Sequence, residues 1–92
     1  MEKKFAWNKL KSKRLKLVRG VSFEEIIQSQ FIEIIAHPSR PNQQVFVYKH
    51  KGYMWAVPFV ETENEFFLKT IYPSRKLLKR YQGGKDEKIK ID

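Results

Sequence analysis

The sequence predicts an α+β fold: two N-terminal helices, a four-stranded antiparallel meander and a short C-terminal helix. Three observations carry this. SFEE at residues 22–25 is a helix-start signature, with a serine and a glutamate at capping-box spacing. Three runs rich in aromatic and β-branched residues lie between Gln44 and Tyr72, joined by HKG and TENE. Connections that short cannot cross over between parallel strands, so they demand hairpins. Finally, PSRKLLKRY at residues 73–81 opens with a proline that stops a strand and a serine placed to cap a helix.

The elements follow in order. Phe5 and Trp7 alternate with Ala6 as in a short strand, Asn8 is an N-cap for a helix running to about Arg19, and Gly20 closes that helix. Leu10, Leu17 and Val18 share one face of it with Arg14 beside them. Lys9, Lys11, Lys13, Lys16 and Arg19 cover much of the rest, so this thin stripe is its apolar side and little of it is core. The second helix, started by Ser22 and Glu25, turns Phe23, Ile26 and Ile27 inward. Strands are expected at 31–35, 44–48, 53–60 and 66–72, with AHPSRPNQ as a loop between the first two. Pro58 cannot donate to a ladder, so its strand lies at an edge there or meets a bulge. Period two in 66–72 puts Phe67, Lys69 and Ile71 on one face and Phe66, Leu68, Thr70 and Tyr72 on the other. Gly83 and Gly84 end the last helix, giving one domain over 1–84 and a frayed tail over 85–92.

A chain of 92 residues supports one core and one site. With no cysteine there is neither a disulfide framework nor a thiolate metal site. No stretch approaches the length of a spanning helix, and the N-terminus lacks the apolar core of a signal peptide, so the expectation is a cytoplasmic protein with no membrane contact. His37 and His50 are far apart and lack an acidic companion cluster, while Glu61, Glu63 and Glu65 read as a solvated hairpin tip. No metal and no other cofactor is therefore expected. The four glycines sit at caps and turns, leaving no phosphate-binding loop.

What remains is charge. The net charge is +9, and residues 1–20 carry eight Lys or Arg against one Glu, residues 21–68 three against six, and residues 69–81 five against none. Two basic segments flanking a mildly acidic middle fit a polyanion, if the fold brings them together. Lys, Arg, His and Tyr at strand ends suit one reaction well: attack of an RNA 2′-hydroxyl on its own phosphodiester. The substrate supplies that nucleophile, so the protein only aligns it, stabilises the phosphate charge and moves two protons. A basic RNA-binding module with no chemistry has the same charge map and stays open as the alternative.

FAWNKLKSKRLKLVRGVSFEEI resembles the opening of BrnT-family toxins of bacterial type II toxin–antitoxin systems, and FLKTIYPSRKLLKRY resembles that family's close, a strand leading into a Ser-x-Arg turn and a short basic helix with an aromatic. The family is similar to RelE-like ribonucleases, in which helices pack on an antiparallel sheet. The resemblance implies mRNA cleavage restrained by a cognate antitoxin of ribbon-helix-helix, BrnA-like type, and leaves open whether the ribosome takes part. It also implies that Arg75 is a phosphate ligand in the transition state and Tyr81 a base-stacking or proton-transfer residue. Lys69 joins them by spacing, and His37 and Arg40 lie in a loop able to reach the same edge. Lys9, Lys13, Lys16, Lys76, Lys79 and Arg80 complete the expected RNA-binding surface.

Overall fold

The computed structural model describes residues 3–81 and is α+β. Its strands are β1 (Lys4–Ala6), β2 (Gln30–Ala36), β3 (Gln44–His50), β4 (Tyr53–Glu61), β5 (Glu65–Leu68) and β6 (Tyr72–Pro73). Two helices, α1 (Lys9–Arg19) and the single turn α2 (Phe23–Ile26), lie between β1 and β2, and α3 occupies 75–81. The expected ends of the last helix at Gly83 and Gly84, and the tail beyond, lie outside the described residues.

The sheet is mixed, with order β1-β5-β4-β3-β2 and β6 also on β4. From β2 to β5 it is the expected antiparallel meander. The purely antiparallel four-stranded sheet is corrected by β1, which pairs parallel with β5, Phe5 opposite Phe66. Three residues of pairing with a segment far along the chain leave no local signal. The hairpin between β3 and β4 turns through Lys51 and Gly52, both at positive φ, the signature of a two-residue primed turn.

Pro58 settles the fate of the predicted strand at 66–72. β4 and β5 pair as far as Phe59 with Leu68, and pairing resumes between Ala56 and Tyr72, so two β4 residues face three on the other side. That is a bulge, and it lies where Pro58 has no N–H to give, while the Pro58 carbonyl accepts from the Lys69 N–H at 2.8 Å. One extra residue reverses the side-chain phase. Leu68 and Ile71 both pack into the core with the N-terminal helices, whereas Tyr72 packs on the opposite face. The expected grouping of Ile71 with Lys69, and of Tyr72 with Leu68, is therefore corrected.

The two faces of the sheet are covered by different helices. On one, Phe46, Tyr48, Val57 and Phe59 pack against Leu15, Val21, Phe23 and Ile26. On the other, Val45, Val47, Met54 and Ala56 pack against Leu77 of α3. Both central strands consequently carry consecutive buried residues. Trp7 and Trp55 pack against the first cluster, and the Phe46 and Phe59 rings stack within it at 3.8 Å.

Helix α1 is turned opposite to its apparent stripe. Leu10, Leu17 and Val18 are 77%, 87% and 71% exposed, and the helix buries Leu15 and Ser12 instead. A serine is tolerated there because its hydroxyl is fully used, donating to Glu24 Oε1 at 2.6 Å and accepting from the Phe23 N–H at 3.0 Å. The Ser12 hydrogen bond also holds the Glu24 carboxyl below its ordinary value. Ser12→Ala strands a buried N–H and is expected to cost about 1–3 kcal/mol, read from the urea midpoint. Ser12→Thr, which keeps the hydroxyl, should retain more of that stability than alanine.

Candidate functional site

The bulge, the loop at 37–43 and the end of β4 enclose an open cleft of about 540 Å³. Its lining joins three distant parts of the sequence: Lys11 of α1, His37, Arg40 and Gln43 of the loop, and Lys69, Thr70 and Tyr72 of the bulge. Lys69 and Arg40 are exposed and His37 half-buried. The Lys69 ammonium stands 5.5 Å from the centre of the Phe67 ring, a cation over an aromatic face. Among the described residues no carboxylate lines this cleft.

The loop owes its shape to His37. The His37 N–H donates to the Gln43 carbonyl and the Gln43 N–H to the Arg40 carbonyl, each at 3.1 Å. His37 Nδ1 accepts from the Ser39 and Arg40 N–H groups, both at 3.1 Å. With Nδ1 accepting both N–H groups, Nε2 is the ring nitrogen left to donate toward an anion.

A second cleft of about 430 Å³ adjoins the first and shares Pro38 and Tyr72 with it. Its floor is Ile35, Val45, Ala56 and Leu77, with Lys76 and Arg80 of α3 and Ser74 around it. Ser74 caps α3, accepting from the Leu77 N–H at 3.1 Å, while its own N–H donates to the Met54 carbonyl at 2.9 Å.

Of the residues singled out from the sequence, Lys69, His37 and Arg40 thus meet in one cleft, and Lys76 and Arg80 in its neighbour. Arg75 is exposed on the first turn of α3 and lines neither cleft, and Lys79 is exposed. Tyr81 packs against the cluster beneath α3, and its buried hydroxyl has no partner among the described residues. Lys9, Lys13 and Lys16 line a separate groove with Ser22 and Glu24, between α1 and the start of α2. Lys16 is engaged there, 2.8 Å from Glu25, and this bond holds the Glu25 carboxyl at about 2. Among the hairpin glutamates, Glu61 takes Lys3, and no group of three or more metal-ligating side chains forms among the described residues.

Sequence reading missed Lys11 and Tyr72. Lys11 is one of six cations on a helix without acids, and only its placement above the bulge distinguishes it. Period two carries no sign of a bulge and so sets Tyr72 on the face of Leu68; Pro58 on the neighbouring strand is the available signal.

Among the described residues no helix is long and apolar enough to cross a membrane. No protein-family model, curated protein or solved structure matches the chain.

Proposed function

We propose that the chain is a metal-independent endoribonuclease of the toxin–antitoxin kind, cutting mRNA by attack of a 2′-hydroxyl on the adjacent phosphodiester. The observation that supports this best is the convergence of Lys11, Arg40 and Lys69 with the His37 ring in one cleft that, among the described residues, no carboxylate lines. Three cations from separate segments, undiluted by acid, favour a phosphate whose charge grows in the transition state. The nucleophile belongs to the RNA, so the protein has only to hold the strand and balance charge. The protein acts in the cytoplasm, restrained by an antitoxin of ribbon-helix-helix type, with acidic side chains meeting the basic surface.

One observation favours the alternative, an RNA-binding module without chemistry: His37 Nδ1 is occupied by two N–H groups of its own loop. Purified protein incubated with a transcript separates the two. The ribonuclease shortens it to defined ends, in EDTA as well as in magnesium, because lysines and arginine carry the phosphate charge. A transcript retarded in a gel but left whole makes the protein a binder. Cleavage lost in EDTA and restored by a divalent ion overturns the mechanism.

A further inference from the structure

The two clefts differ in chemistry but share two walls, Pro38 and Tyr72. One is polar and cationic, around Arg40 and Lys69. The other has an aliphatic floor, Val45 and Ala56 among it, and among the described residues its charged lining side chains are Lys76 and Arg80. Across both, every charged lining side chain among the described residues is a lysine or an arginine. A ligand spanning them carries negative charge beside a flat or compact apolar part. An apolar peptide segment makes no use of this ring of cations. A duplex supplies the phosphates but keeps the faces of its bases stacked inside the helix.

We propose that the aliphatic cleft seats one unpaired nucleobase against Tyr72, next to the phosphate held by Arg40 and Lys69. This rests on the phosphate reading of the first cleft and adds a base pocket to it. It makes the site selective at a single nucleotide: the aliphatic floor accepts any base face, and Lys76 and Arg80 offer donors to a base edge bearing acceptors. It also places base recognition at Tyr72, away from Tyr81, which is half-buried and packs against the cluster beneath α3.

The test uses the full chain and labelled single-stranded RNAs about five nucleotides long, a length chosen to limit sliding, with 2′-O-methyl groups so that they bind without being cut. In one series each position in turn is abasic; in the other each phosphate in turn is a neutral methylphosphonate. Binding is followed by fluorescence anisotropy. One abasic position should weaken binding roughly tenfold, the scale of one stacked base, and it should neighbour the most costly methylphosphonate. Lys69→Ala should erase the methylphosphonate penalty and keep the abasic one. An abasic series flat to within about twofold, beside a methylphosphonate series that still has a peak, overturns the base pocket while the phosphate site stands. The same flat series with the RNA displaced by an acidic amphipathic peptide assigns the apolar cleft to a protein segment. RNA bound in neither series removes both readings together.

Discussion

Lys69→Ala and Arg40→Ala should each slow transcript cleavage by a hundredfold or more, since loss of one donor to a developing oxyanion costs about 3 kcal/mol. Both side chains are exposed, so neither change should disturb folding. Arg75→Ala is the informative comparison. The family resemblance gives Arg75 the phosphate, but it stands on the first turn of α3 outside both clefts. Its loss should therefore cost less than about tenfold, as a general weakening of RNA affinity. Initial rates of purified variants on one transcript decide it. If Arg75→Ala falls as far as Lys69→Ala, the phosphate sits at the start of α3 and the cleft at the bulge is not the site.

Phe59→Ala should be the most damaging single change to stability, at about 3–5 kcal/mol out of a total of about 5–15. Phe59 is 1% exposed, stacks on Phe46 and meets Phe66 edge-on at 5.5 Å, so its removal opens a cavity where the sheet meets the helices. Leu17→Ser, at a position that sequence periodicity makes part of an apolar stripe, should change stability by less than about 0.5 kcal/mol. Urea denaturation of Leu17→Ser, with Phe59→Ala as the buried reference, tests whether the Leu17 face of α1 is exposed. Equal losses would put the Leu10–Leu17 stripe back in the core.

Those two positions also show what kind of information the sequence held. Features closed within a few residues were legible: the Asn8 cap at 3.0 Å from the Lys11 N–H, the reciprocal Ser22–Glu25 box, Gly20 in the left-handed region and the Ser74 cap all formed as their spacing required. The meander was legible because turn length restricts how neighbouring strands pair. The parallel addition of β1 was not, since its partner β5 lies some sixty residues on and three residues of pattern cannot name it. The orientation of α1 failed for a related reason. Counting apolar residues favours Leu10, Leu17 and Val18, but the helix is seated by Leu15 and by a serine whose hydrogen bonds appear only once α2 packs against it. In the candidate site, the loop and the basic strand end could be named from residue type. Their meeting with Lys11 depended on where the helix lay over the sheet.

The bulge at 69–71 holds one residue more than the ladder needs, and that surplus belongs to the cleft and not to the core. Loss of the Thr70 codon would leave two residues opposite Val57 and Pro58, so Phe59 with Leu68 and Ala56 with Tyr72 would keep their register in an uninterrupted ladder. Ile71 and Tyr72 would hold their present faces, while the cleft would lose a lining residue. The same fold can therefore be encoded one codon shorter, with a plain strand edge where the cleft now opens.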